Sequence, residues 1–257
     1  MPVTPRLLQI DLGPGVLAGF TTRENGVSVG PWHGLNLGDH VGDEPGAVAQ
    51  NRRSLAERVG APVRFLRQVH GVDVLVPDPA VPGPAVPDPV LVPDPGPQQG
   101  HDAIVLRAGA GAGAVMVADC APVLLADPQA GLVAAAHAGR VGLLAGVLQA
   151  TVERMRALGA QPRRIRAAVG PCAGPCCYEV GEELRALAAE VLPDTWARTR
   201  SGTASIDLRA GCRQALGQVG VRRVEVLDRC TVEDDSFYSY RRSSITGRFV
   251  GVIRSLT

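Results

Sequence analysis

Three uninterrupted apolar runs constrain this chain more than any other feature: AIVL (103–106), AVMVA (114–118) and LVAAA (132–136). A strand with one face in water alternates apolar and polar residues, whereas a run without polar positions suits a central strand covered on both faces. The chain therefore needs packed layers on each side of a sheet. It has the material, since 46% of its 257 residues are hydrophobic and 20% charged, enough for a substantial core. Aromatics are only 4%, so that core rests on Val, Leu, Ile and Ala.

Further strands are expected at 16–22, 63–69, 72–76, 165–170, 221–230 and 249–255. Helices are expected at 45–60, with Pro45 in the first turn and Gly60 at the end, at 143–159, and at 207–219. A fourth follows the turn that opens PCAGPCCYEVGEELRALAAEVL. Strands and helices intermix without a repeat or a domain boundary. The reading is one α/β (α+β) domain over 1–257, a mixed β-sheet flanked by helices. Nine prolines between 77 and 97 break any regular element and predict a surface loop inserted in that domain.

Residues 130–150 resemble a membrane span in hydropathy, but they carry His137, Arg140 and four glycines. An Arg at a bilayer centre costs roughly 2.5–3.5 kcal/mol, so the segment reads as a buried strand, a tight turn and a helix. The N-terminus has no basic flank followed by an apolar run, which predicts a cytoplasmic protein. The six cysteines are then expected to be reduced, and none forms a C-x-x-C pair. Net charge is +1, so there is no global field to gather nucleic acid or an anionic membrane, and a small-molecule substrate is expected. All 26 basic residues are Arg. That fits the codon bias of a GC-rich genome, although Arg also grips phosphate with two parallel hydrogen bonds.

Histidine occurs at 33, 40, 70, 101 and 137. His137 directly follows LVAAA, His70 follows FLRQV, and Cys120 follows AVMVAD. Each sits where a strand opens into a turn, and open α/β sheets place their sites just outside strand ends. Two imidazoles and a thiolate form a plausible catalytic zinc set with a fourth position open. The pattern alone fits equally well a small buried Cys and two satisfied His. The other three His read as surface or turn residues. Asp119, next to Cys120, is expected to face away from any metal and support the site.

The segments TTRENGVSVGPW, GLNLGDHVGDEP, NRRSLAE, RQVHGVDV, HDAIV, ADCAPVLLADP, AAHAGR, AAVGPCAGPCCYEVG and YSYRRSSITGR span residues 21–248. In these the chain resembles the YfiH family, whose members also carry the names multicopper polyphenol oxidase (laccase) domain protein and peptidoglycan editing factor. The resemblance implies a fold similar to the catalytic domain of cytotoxic necrotizing factor toxins. It implies that His70, Cys120 and His137 are catalytic residues that bind zinc. It also implies phosphorolysis of adenosine, inosine and methylthioadenosine, with deamination of adenosine as a second activity. The partners would be a nucleoside and phosphate, and a homodimer is compatible with the family. Where the family usually has Trp after His-Ala-Gly, this chain has Arg140, and Ser243 replaces an Asp after the paired arginines.

Arg241, Arg242 and Arg248 lie among hydroxyl residues in YSYRRSSITGR and can wrap a phosphate. Asn36 and Arg52, in the family-like N-terminal segments, are further candidate substrate contacts. The turn GPCAGPCC can offer backbone N–H groups to an anion. Three rival readings remain. Cys120 and His137 can be nucleophile and base of a thiol hydrolase or amidase acting on a peptidoglycan precursor. The metal can be copper, in a polyphenol oxidase, with Met116 as weak axial ligand. Five His without a His-x-His pair cannot hold a trinuclear copper cluster. The third rival is a metal- or partner-binding protein without turnover.

Overall fold

The computed structural model describes residues 4–77 and 100–256. The proline-rich stretch therefore lies, beyond Pro77, outside the described residues. In chain order the elements are β1 (Leu7–Gln9), β2 (Val16–Thr21), α1 (Pro45–Val59), β3 (Val63–Phe65), β4 (Val74–Leu75), β5 (Ala103–Arg107), β6 (Ala112–Val117) and β7 (Ala121–Asp127). There follow β8 (Leu132–Ala138), α2 (Arg140–Ala145), α3 (Val147–Ala157), β9 (Arg166–Val169), α4 (Glu182–Val191), β10 (Trp196–Arg198), β11 (Ala204–Ile206), α5 (Leu208–Gln218), β12 (Arg223–Val226) and β13 (Phe249–Ser255).

The α/β class holds, but the expected mixed sheet is two mixed sheets stacked face to face. One has the order β1-β2-β13-β6-β3 and the other β12-β9-β7-β8-β5-β4, with a separate β10-β11 ribbon. The period-two geometry of a strand shows how. In β8, Leu132, Ala134 and Ala136 face Val147, Leu148 and Val152 of α3, while Val133 and Ala135 face Ile253 and Val115 of the other sheet. On the far side of that second sheet, Ala114, Met116, Val250 and Val252 pack against Leu55 and Val59 of α1. The order of layers is helix, sheet, sheet, helices. Small residues let the sheets approach: a Cβ on Gly251 would lie 3.0 Å from Pro122, and one on Gly113 only 2.8 Å from Ile104.

Several boundaries differ from expectation for identifiable reasons. The single helix expected at 143–159 is two, because Gly146 at φ 99° ends α2 with a left-handed cap and starts α3. The strands expected at 63–69 and 72–76 shrink to Val63–Phe65 and Val74–Leu75, because residues 69–71 turn their amides onto a buried carboxylate. β7, wholly buried, has no counterpart in the sequence reading, since Pro122 at its second position disguises it. Residues 130–150 form β8, a turn at Gly139, α2 and the first turn of α3. Among the described residues no helix is long and apolar enough to cross a membrane.

Candidate metal centre

β3, β6 and β8 run to one end of the stacked sheets, and the residues just beyond or at their ends converge there. His70 lies in the turn after β3, Cys120 in the bend between β6 and β7, and His137 near the end of β8. One ligand atom from each lies within 4.8 Å of the other two. Cys120 Sγ is 3.8 Å from His70 Nε2, and the two imidazole rings meet edge to face with centroids 4.7 Å apart. His137 is buried, Cys120 half-buried and His70 exposed, so the cluster opens to solvent on one side.

Asp102 organises two of these residues. It is fully buried at the start of β5, and it accepts from the backbone amides of Val69 (3.1 Å), His70 (3.0 Å) and Gly71 (2.6 Å). Three successive N–H groups curling around one anion make a nest. The turn needs His70 in the left-handed region, at φ 61°. The same carboxylate lies 2.7 Å from His137 Nδ1, and the Asp102 carbonyl accepts from the His137 amide at 2.7 Å. This fixes the Nδ1–H tautomer and leaves Nε2 as the electron-pair donor.

Electrostatics follow the same geometry. Burial pushes the Asp102 carboxyl up, but its bonds from His137, Gly71 and Val69 outweigh this and hold it below the usual carboxylate range. Burial likewise opposes ionisation of Cys120, yet the neighbouring His137 and His70 bring its thiol down to about 6. Burial lowers His137, while Asp102 and Cys120 raise it, to about 9 on balance. Between about 6 and about 9 these shifts favour, without a cation, a thiolate beside an imidazolium.

The residues fit a metal. Zinc bonds of ~2.0–2.3 Å in a tetrahedron place donors ~3.4–3.8 Å apart, a small contraction of the cluster. Gly139 keeps the space open, because a Cβ there would lie 2.8 Å from His70 Cδ2 and 2.9 Å from Cys120 Sγ. Gly142 lets α2 pack directly on the His70–Gly71 backbone, where a Cβ would come 2.8 Å from the Gly71 carbonyl.

The trio forms the floor of a cleft of about 960 Å³, whose lining includes Asp39, Arg52, Tyr178, Tyr240, Arg241 and Arg248. Arg52 is buried, donates to the Leu37 carbonyl at 2.9 Å, pairs with Asp39 at 3.3 Å and stacks 4.2 Å over the Phe65 ring. Arg241 stacks 4.3 Å over Tyr178 and donates to the Glu179 carbonyl at 3.0 Å. Its backbone N–H is held by Asp119 Oδ2 at 2.7 Å, while Asp119 Oδ1 accepts from Thr231 at 2.6 Å. Asp119 thus supports the arginine wall.

Two of the candidate substrate contacts, Asn36 and Arg242, are not in that lining. The Asn36 amide bridges Gly38, Asp43 and the Arg248 N–H. Arg242 commits its guanidinium to the carbonyls of Thr231, Val232, Asp234 and Phe237. Both hold the loops that carry cleft residues. Arg140 also lies off the lining, beside the Tyr178 hydroxyl. His40, read as a surface residue, sits at the cleft edge with Asp39. Asp102 was absent from the expected site. The one signal for it is a carboxylate placed immediately before an apolar run, where a buried charge requires partners.

The family model described as multi-copper polyphenol oxidoreductase laccase matches residues 17–255. A purine nucleoside phosphorylase of Streptomyces griseus is 46% identical over 237 residues, 91% of this chain and 92% of that protein. One from Deinococcus radiodurans is 44% identical over 240 residues, covering 91% and 87%. Among solved structures, a Neisseria meningitidis protein superposes with a TM-score of 0.82 at 38% identity, over 97% of this chain and 98% of that one. Bacillus licheniformis YfiH gives 0.83 at 30% identity, over 99% and 97%. The chain belongs to the multi-copper polyphenol oxidoreductase laccase family, the family that includes YfiH.

Proposed function

We propose that this chain is a purine nucleoside phosphorylase of the cytoplasm that also deaminates adenosine, with zinc held by His70, Cys120 and His137. The observation that carries the reading is one cleft joining a three-donor metal cluster to Arg52, Arg241 and Arg248. The relatives named purine nucleoside phosphorylase, at 40–46% identity, support the substrate class. Two imidazoles and a thiolate suit zinc or copper; zinc is favoured because the Met116 sulfur, the nearby weak ligand that a copper site would use, lies 3.7 Å from the Arg52 guanidinium and is engaged there.

When bound, zinc supplies Lewis acidity and a means of ionising water at neutral pH. The chain's own groups do the rest. Asp102 keeps the His137 proton on Nδ1, so the imidazole faces the cleft as a donor. Arg241 and Arg248 meet the phosphate dianion and hold it for attack at C1′ of the ribose, by proximity and charge. Tyr240, 56% exposed at the cleft mouth, offers a ring face to the purine. Deamination at C6 uses the floor of the cleft and needs no phosphate.

The test is product analysis. Adenosine with inorganic phosphate is expected to give adenine and ribose 1-phosphate. Adenosine without phosphate is expected to give inosine and ammonia. Adenine release without phosphate, or no turnover of any purine nucleoside, would sink the reading.

One observation favours a second reading. Asp102, His137 and an easily ionised Cys120 also form the carboxylate–imidazole–thiolate series of a thiol hydrolase. Cys120→Asp separates the two. A ligand carboxylate retains some zinc and some activity, whereas a nucleophile cannot be replaced in this way. Activity that survives a strong chelator but not Cys120→Asp would favour the hydrolase.

A further inference from the structure

A second group of soft ligands lies outside the cleft. Cys176, Cys177, Cys230 and Glu233 each offer an atom within 4.8 Å of the other three. Cys176 Sγ is 3.6 Å from Glu233 Oε2. Tetrahedral bonds of ~2.3 Å to sulfur put thiolates ~3.8 Å apart, so closing this group on one ion needs shifts of about an ångström or less. All six cysteines of the chain are free thiols, and the three here are half-buried.

We propose that Cys176, Cys177, Cys230 and Glu233 form a second, structural metal site that takes one thiophilic divalent ion of the zinc type. Four protein donors leave no open position, as in structural rather than catalytic sites. The surroundings are built for such a site. The Gly174 amide points at Cys230 Sγ at 3.3 Å, a donor that steadies a thiolate. A Cβ on Gly174 would lie 3.2 Å from Cys176 Sγ and 3.3 Å from Cys230 Cβ, so glycine permits the close turn. Arg200 holds both Glu233 oxygens, at 2.8 and 2.9 Å, which orients the carboxylate and offsets the negative charge of three thiolates. Binding releases the thiol protons to solvent and changes no oxidation state.

The site would tie two distant segments together. Cys172 and Cys230 already form an isolated parallel bridge, and the Thr231 amide donates to the Cys172 carbonyl at 3.0 Å. Tyr178, which lines the cleft, directly follows Cys177, and the Glu179 carbonyl receives Arg241. An ion here clamps the turn that presents the Tyr178–Arg241 stack, without touching the substrate.

The experiment counts metal in full-length protein reconstituted with zinc and freed of excess. We expect two zinc ions per chain. His70→Ala/His137→Ala should keep one, and Cys176→Ser/Cys177→Ser should keep the other. Cobalt loaded into the His70→Ala/His137→Ala protein should give strong thiolate charge-transfer absorption, and Glu233→Gln should weaken that site about tenfold. Because the Cys variant can fail to fold, the unmodified protein supplies an independent readout. Zinc should protect Cys176, Cys177 and Cys230 from alkylation, as read by mass spectrometry, and a chelator should expose them. One zinc per chain that is lost in the His variant, or alkylation at these three residues unchanged by zinc, overturns the second site and leaves the cleft reading intact. A disulfide among them in protein kept under the reducing conditions of these titrations also overturns it. Loss of metal in the Cys variant alone would instead count against the cleft site.

Discussion

The two ends of the cleft are built in different ways. The floor comes from strand ends and is fixed by one buried carboxylate that collects three amides and an imidazole. The arginine wall takes Arg52 from α1 and Arg241 and Arg248 from the loop before β13, and backbone carbonyls and aromatic faces hold it. A group that must hold a cation in a set geometry sits on the stiff part of the fold. Groups that close on an anion sit where guanidinium planes can adjust. Changes to the floor should therefore damage every reaction of the cleft, while changes to the wall should be selective.

Asp102 gives the largest expected effect. Asp102→Ala orphans three amides and the His137 Nδ1–H, at about 1–3 kcal/mol for each buried group left unpaired. Asp102→Asn keeps the volume but loses the charge, and should lower zinc affinity ~10–100-fold. Phosphorolysis and deamination should fall together. If only one falls, the floor is not shared. The same cluster predicts proton release on metal uptake. His137 is held protonated up to about 9 and Cys120 ionised above about 6. Between those values zinc should displace about one proton, from His137, and affinity should rise with pH. Calorimetry in buffers of different ionisation enthalpy would show this, and no proton release near neutral pH would contradict the ion pair.

Gly139→Ala comes next. Its methyl group would press on His70 and Cys120, so metal affinity should drop about tenfold, ~1.4 kcal/mol, with little change in melting temperature. A variant that loses stability but keeps its metal would mean that Gly139 serves the turn and not the ligand cluster.

These two residues also mark how far the sequence could be read. His70, Cys120 and His137 were visible as residues at strand mouths, but that pattern fitted buried, satisfied side chains equally well, and the metal reading rested on the resemblance to the YfiH family. Asp102 was not, since a carboxylate ahead of a strand looks the same whether it caps, faces solvent or anchors a histidine. β5, β6 and β8 were legible from their unbroken apolar character, whereas β7, equally buried, was not. The second sheet was not, because a strand buried on both faces carries the same pattern under a helix or under another sheet. The second cysteine cluster was hidden for a simpler reason. Cys176 and Cys177 look like an incomplete motif until the fold brings Cys230 and Glu233 beside them.

The arginine wall gives the smaller and more selective effects, and neighbouring residues test it. Arg241 faces the cleft, whereas Arg242 is turned into the loop beneath. Arg241→Ala removes a charged partner for phosphate, worth about 1.5–3 kcal/mol, so the phosphate KM should rise ~10–100-fold. Deamination should keep most of its rate, because no phosphate takes part. Arg248→Ala should behave in the same way. Arg242→Ala should do the reverse. Four carbonyls in a partly buried loop lose their donor, which costs about 1–3 kcal/mol of stability, visible as a lower urea midpoint. Its phosphate KM should stay within about twofold, provided the assay is run well below the unfolding transition. Had the sequence alone decided, the two arginines would have been interchangeable. A phosphate KM that rises equally in both variants would break the division between a wall residue and a loop support, and would return Arg242 to the phosphate site.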